Sequence, residues 1–209
     1  MHRSPISYDR IVELVEPEST VLDLGCGNGE LLQRLRLERS AHGRGVEIEE
    51  SLIRECIANG ISVFQGNLDE GLQDYESQTY DYVILNQTLQ VVHQPIVLLR
   101  EMIRVGRRVI VGFPNFAFVQ NRMQLTVGGR MPKNSTLPYE WYDTPNIHLC
   151  TYRDFHQLCR REHIVVLRQI CMNGRWRIPA GLRNLLAVDV YFLLSGRHTN
   201  GITTTTTGG

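Results

Sequence analysis

Val21-Leu22-Asp23-Leu24-Gly25-Cys26-Gly27-Asn28-Gly29-Glu30-Leu31-Leu32 is the stretch that decides the fold. A short apolar strand ends in an acid, Asp23. A turn with glycine at every second position follows, and an apolar helix opens directly after it. Glycines tolerate φ > 0 and put no Cβ between the backbone and a ligand. The helix start beyond them offers free N–H groups. This is the first strand–turn–helix of a nucleotide-binding α/β sheet.

The spacing narrows the ligand. A dinucleotide turn reads G-x-G-x-x-G and packs on a pyrophosphate. Counted from Gly25, the third glycine of that pattern falls at position 30, which is Glu. The chain instead carries Asp-x-Gly-x-Gly-x-Gly. It resembles motif I of class I S-adenosylmethionine (SAM)-dependent methyltransferases, whose turn wraps a cationic, phosphate-free ligand. That resemblance implies a cofactor site at Asp23, Gly25, Cys26, Gly27, Asn28 and Gly29 for SAM or S-adenosylhomocysteine, with Asp23 facing the ammonium side.

Further contacts follow at later strand ends. Glu47 lies twenty-two residues beyond Gly25 and closes the second predicted strand, followed by Ile48. An acid there accepts hydrogen bonds from both ribose hydroxyls. Glu49 and Glu50 fall in a helix's first turn, where they suit the dipole. After the third strand comes Gln65-Gly66-Asn67-Leu68-Asp69. The methyltransferases usually place an acid at the position of Asn67, which accepts from the adenine amino group. An amide oxygen still accepts, Asp69 is the alternative acceptor, and the Leu68 N–H is placed to meet the ring. Asn86 and Gln87 end the fourth strand as neutral polar contacts, and His93 precedes a helix as a cap or a catalyst.

Composition limits the classes of function. Twenty-two basic and twenty-two acidic side chains in 209 residues leave no net charge, so no basic excess points to nucleic acid. No run reaches the ~18 apolar residues of a membrane helix, and the start lacks a signal peptide's apolar core. A cytoplasmic protein is expected. The five cysteines are odd in number and form no C-x-x-C pair, which argues against disulfides and a structural zinc.

Apolar periodicity alternates helix and strand. The reading gives a helix at 7–15, strands at 20–24, 43–48, 61–65, 80–86 and 107–113, and helices at 29–37, 49–59 and 95–104. Leu52, Ile53, Cys56 and Ile57 form the inward face of the helix at 49–59. Residues 114–150 break the rhythm with prolines and aromatics, with a helix near 117–127. Thr151-Tyr-Arg-Asp154 opens another helix, and strands at 164–172 and 184–195 close the chain. The expected fold is a mostly parallel seven-stranded Rossmann-like sheet of the class I methyltransferase kind, with an antiparallel C-terminal strand pair and helices on both faces. Residues 1–197 read as one domain, with 114–150 as a lid or partner insertion. The threonine-rich 198–209 tail reads as disordered.

Residues 80–151 carry a more specific resemblance. Tyr80-Asp-Tyr-Val-Ile-Leu-Asn-Gln-Thr-Leu-Gln90, Gly129-Arg-Met-Pro132 and Leu137-Pro-Tyr-Glu-Trp-Tyr-Asp-Thr-Pro-Asn-Ile-His-Leu-Cys-Thr151 are similar to the MetW family of methionine biosynthesis proteins. The resemblance implies a SAM-binding accessory protein whose partner is a homoserine O-acyltransferase. The segment 114–150 would then be the docking surface, through Phe116, Tyr139, Trp141 and Tyr142. The alternative is a methyltransferase acting on a small acceptor, for which His148, Glu140 and Tyr139 are the candidate bases.

Overall fold

In the computed structural model, which describes residues 5–134 and 136–196, the chain forms the expected alternation. Helix α1 is Pro5–Leu14, followed by β1 (Thr20–Leu24), α2 (Glu30–Arg39), β2 (His42–Glu47), α3 (Glu50–Ala58) and β3 (Ser62–Gln65). After them come β4 (Tyr80–Asn86), α4 (Pro95–Val105), β5 (Gly106–Pro114), α5 (Val119–Thr126), α6 (Tyr152–Arg161) and β6 (Val165–Asn173). The chain closes with β7 (Trp176–Arg177), the short α7 (Arg183–Leu186) and β8 (Asp189–Ser195). The 198–209 tail lies outside the described residues.

The sheet order is β3-β2-β1-β4-β5-β8-β6-β7. Strands β1 to β5 run parallel, and β8 enters antiparallel between β5 and β6. The order reverses between β1 and β4, so the carboxyl ends of these two strands form the crevice where such sheets bind ligands. The sheet has eight strands rather than the seven expected. The added strand is two residues long, paired to β6 across a tight turn whose Gly174 adopts φ +55°. Two residues are too short for any period-two pattern to show in sequence.

Each face of the sheet buries its own core. Leu31, Leu32, Leu35 and Ile11 pack with Val21, Ile84 and Ile110 on one side. Leu98, Leu99 and Met102 pack with Leu85, Val111 and Phe192 on the other. This double burial explains why β4 and β5 read as unbroken apolar runs. Phe155 of α6 meets Phe113 and Phe192 with ring centroids 4.9 and 4.8 Å apart, which fixes α6 on the sheet.

Local signals explain the helix ends. Thr151 caps α6 by accepting from the Asp154 amide. Gly60 at φ +66° ends α3, with Gly60 N–H to Ile57 O and Ile61 N–H to Cys56 O, a Schellman arrangement. The α3 face differs from its expected pattern: only Cys56 is fully buried and Ile57 is exposed. The helix sits against the edge strand β3, so half its apolar stripe has nothing to pack on.

Between β3 and β4 the chain makes a 3-10 turn at Leu68–Glu70 and otherwise no helix. Arg104 of α4 holds this connection, donating to the carbonyls of Tyr75 and Leu72 at 2.8 Å each while paired with Glu101.

Candidate functional site: the glycine turn and the loops beside it

Strand β1 carries Asp23, fully buried, to the mouth of the crevice. The chain then turns through Gly25, Gly27 and Gly29 at φ +68°, +62° and +80°. The turn hangs on β2, since the Gly25 and Cys26 amides donate to Val46 O at 2.8 and 3.1 Å. A Cβ on Gly25 would stand 2.9 Å from Thr88 Oγ1, so the loop after β4 is packed directly against a bare backbone. Just before α2 the Asn28 side-chain oxygen accepts from Glu30 N–H at 3.3 Å.

Glu47 is the pivot of the site. It is 8% exposed and ends β2. Its Oε2 accepts from Gly27 N–H at 2.8 Å, and Oε1 accepts from Ile48 and Glu49 N–H at 2.8 and 3.1 Å. A carboxylate has about four lone-pair sites. Spare acceptor capacity therefore remains beside the turn, the requirement for receiving a diol. Ile48 stands exposed next to it.

Beneath the turn Cys26 Sγ lies 3.9 Å from Cys56 Sγ. A Cβ on Gly45 would meet Cys26 Sγ at 2.3 Å, so the glycine in β2 makes room for this thiol. Burial, and then the nearby Asp23 carboxylate, push the Cys26 thiol far above its ordinary pKa. Burial also raises Cys56. Both are inert packing groups.

Asn67 caps the 3-10 turn, accepting from Asp69 N–H at 3.1 Å. It sits at the carboxyl end of β3, as a contact to the base would require. Asp69 does different work. Its carboxylate accepts from the amides of His93 and Gln94 at 2.8 and 3.3 Å and meets His93 Nδ1 at 2.8 Å. Burial opposes ionisation of Asp69, but these bonds outweigh it and hold the carboxyl below its usual range. Asp69 and His93 thus clip the β3–β4 connection to the start of α4.

Asn86 is fully buried at the end of β4. Gln87 follows with φ +55°, a left-handed conformation uncommon for a residue with a Cβ. Its amide group donates to Asp189 Oδ1 at 3.3 Å, and burial pushes the Asp189 carboxyl up to about 6 while this bond pulls it down. Gln87 O accepts from Gln90 Nε2 at 2.9 Å. Gln90 in turn ties the loop to the proline-rich segment, because its carbonyl accepts from both Ile147 N–H at 2.8 Å and His148 N–H at 3.1 Å.

The three candidate bases are dispersed. His148 is half-buried, and its Nε2 has no hydrogen-bond partner among the described residues. Glu140 is ion-paired with Lys133. Tyr139 and Glu140 line a cleft of about 920 Å³ built entirely from residues between Phe116 and Leu149. None of Asp23, Gly25, Gly27 or Glu47 lines that cleft. Gln90, Thr88 and Asp189 organise the site without having been singled out from the sequence. The polar run Asn86-Gln87-Thr88 signals Thr88; nothing local in the sequence signals Asp189.

No helix among the described residues is long and apolar enough to cross a membrane. Comparison with known proteins then places the chain. A SAM-dependent methyltransferase from Archaeoglobus fulgidus superposes with a TM-score of 0.67 at 15% identity, covering 89% of this chain and 90% of that one. A SAM-dependent methyltransferase from Mesorhizobium loti gives 0.65 at 14% identity, covering 90% and 97%. The fold is that of the class I SAM-dependent methyltransferases. In sequence, the chain is 35% identical over 187 residues to the bifunctional methionine biosynthesis protein MetXA/MetW of Rhodopirellula baltica. The match covers 85% of this chain and 29% of that relative, so the chain spans under a third of its length. The family model for methionine biosynthesis protein MetW matches residues 6–192. By that match and that identity, the chain belongs to the MetW family of methionine biosynthesis proteins.

Proposed function

We propose that the chain binds SAM at the glycine turn and acts as an accessory partner of a homoserine O-acyltransferase. The observation that carries the partner is the Rhodopirellula relative, which holds MetXA and MetW in one polypeptide. Two functions joined in one chain in one organism are natural associates when carried on separate chains.

The site's own geometry supports SAM. The three glycines bare the backbone, Glu47 keeps acceptor capacity for a ribose diol, and the exposed Ile48 offers an apolar surface for a flat base. Asn67 and the Leu68 N–H would take the base edge, and Asp23, Asn86 and Gln87 would lie toward the amino-acid end. SAM, when bound, would supply an electrophilic methyl group; this chain's residues would bind and orient it.

The docking surface in this reading is 114–150. Trp141 and Tyr142, each 72% exposed, stack edge to face at 5.5 Å, flanked by exposed Met131, Ile147 and Leu149. Large aromatic anchors in an apolar patch are the residue types that carry binding energy in interfaces. A methyltransferase acting on a small acceptor is the second reading, favoured by His148 Nε2, which has no hydrogen-bond partner among the described residues and lies beside the loop that follows β4.

Calorimetric titration of SAM and S-adenosylhomocysteine, with and without the purified acyltransferase, tests the proposal. SAM should bind alone, and the partner should change its affinity, since linkage runs both ways. Binding that the partner leaves unchanged would move the assignment to the methyltransferase reading. Failure of both nucleosides to bind would overturn the glycine-turn assignment.

A further inference from the structure

Charge is unevenly spread along this neutral chain. Residues 151–188 carry seven arginines but only two acids, Asp154 and Glu162. Both acids are engaged: Glu162 pairs with Arg100, and Asp154 Oδ2 accepts from Thr151 Oγ1 at 2.7 Å. Arg168 and Arg177 pair with Glu13 of α1. Arg153, His156 and Arg160 are left without a carboxylate partner among the described residues.

All three stand on α6. Phe155 and Cys159 turn inward and are buried, so Arg153, His156, Gln157 and Arg160, spaced by threes and fours, share the outer face. With Tyr152 they line one hollow of about 380 Å³. Tyr152 is a fixed wall, since its hydroxyl donates to Gln169 Oε1 at 2.9 Å and accepts from Arg183 Nη1 at 3.5 Å. Arg153 and Arg160 are exposed and His156 is half-buried. Seven residues of helix rise about 10 Å, so the cations form a row rather than a ring about one point. A guanidinium fork takes a carboxylate or a phosphate. A row of this length fits several carboxylates on a facing surface better than it fits one phosphate.

The row continues from the aromatic segment. Tyr152 N–H donates to Asn115 Oδ1 at 3.1 Å, and Phe116 N–H donates to Cys150 O at 3.1 Å, so both ends of 114–150 meet at the start of α6. Aromatic residues with a polar rim, and arginine among them, are the composition of protein interfaces. We infer that the acyltransferase contact extends from this segment onto α6, where the partner meets the Arg153–His156–Arg160 row with an acidic surface. The inference rests on the accessory-partner reading above. The row steers the encounter and sets its orientation, because complementary charge acts chiefly on association rate and register.

Association kinetics of the full chain with the purified acyltransferase test it, with SAM titration as the check on folding. Wild-type association should slow about tenfold between roughly 0.05 and 0.5 M NaCl. Arg153→Glu and Arg160→Glu should each slow it about three- to tenfold at low salt, and together remove most of the salt dependence. Arg36→Glu changes net charge equally but lies on α2, across the sheet from α6, and should leave the rate within a factor of about two. SAM affinity should be the same in every variant. Reversals on α6 without effect, an equal loss in Arg36→Glu, or a salt-insensitive complex would overturn this inference alone. So would pyrophosphate that shifts α6 amides while the reversals leave the complex intact, which would assign the hollow to a small anion. Failure of the wild-type chain to form any complex would overturn the accessory reading and this inference together.

Discussion

The amide of Gly27 donates to Oε2 of Glu47 at 2.8 Å, so the glycine turn after β1 is latched to the end of β2 by a side chain in addition to its backbone bonds to Val46. The other carboxylate oxygen holds Ile48 and Glu49. One residue thereby sets the turn's shape and supplies the acceptor proposed for the ribose. Glu47→Ala should lower SAM affinity by about 1–3 kcal/mol, the scale of lost hydrogen bonds to a charged group. Calorimetry measures it, and unchanged affinity would remove Glu47 from the ribose.

Gly25 allows a sharper test. An alanine there must adopt φ +68° and place its Cβ 2.9 Å from Thr88 Oγ1. Gly25→Ala should cost about 1–2 kcal/mol from the left-handed backbone alone, plus the clash. Adding Thr88→Ala removes the clash and leaves the backbone term, so the double variant should recover part of the loss. Denaturant midpoints measure both, and strict additivity would show that Thr88 yields without cost.

Asp189 should make stability depend on pH. Its carboxyl is pushed up from the ordinary 3.8 to about 6 by burial. A raised acid keeps its proton in the folded state where the unfolded chain has released it. Between about pH 4 and 6 the folded state binds more protons, so stability falls as pH rises through this window and stays low above it. Asp189→Asn keeps an acceptor for Gln87 and removes the buried charge. It should stabilise the protein at pH 7.5 by up to about 3 kcal/mol and give no gain near pH 4. Thermal midpoints at the two pH values decide; an equal gain at both would point to packing instead.

The thiols should be silent. Burial raises Cys26, pushes Cys150 and Cys159 up to about 12, and pushes Cys171 up to about 11. The thiolate is the reactive form. Native protein at neutral pH should therefore label far more slowly with iodoacetamide than unfolded protein, at every cysteine. Rapid native labelling of Cys26 or Cys56 would show that the glycine turn opens.

Trp141→Ala should spare SAM affinity and weaken the acyltransferase complex by about 2 kcal/mol or more, as truncation of an interface anchor does. A large loss of SAM affinity in this variant would make the segment a ligand lid.

Most of the sheet could be read from residue patterns because its elements obey local rules. The β1 and β4 boundaries match the expected 20–24 and 80–86, since both strands are apolar runs between turn residues. Thr151 and Gly60 announce helix ends through capping chemistry that acts within five residues. What escaped was long-range or very short. The two-residue β7 carries no period. The expected strand at 184–195 begins only at Asp189, because residues 180–186 coil into short helical turns first. The places of Asp23, the three glycines and Glu47 at strand ends and in a φ > 0 turn are legible because such positions write themselves in residue type. The links from Gln87 to Asp189 and from Gln90 to residues 147 and 148 join distant segments, and no spacing rule announces them.

Gln90 offers one carbonyl oxygen to two amides of the proline-rich segment, and its side chain grips Gln87, held in a left-handed backbone. That oxygen works as a hinge pin. A partner that pulled on residues 147–148 would have to release or drag the loop after β4, and a ligand that reset Gln87 would slacken the same pin from the other side. A change at either end would therefore be felt at the other through the Gln90 peptide group, which joins the loop beside the glycine turn to the proline-rich segment.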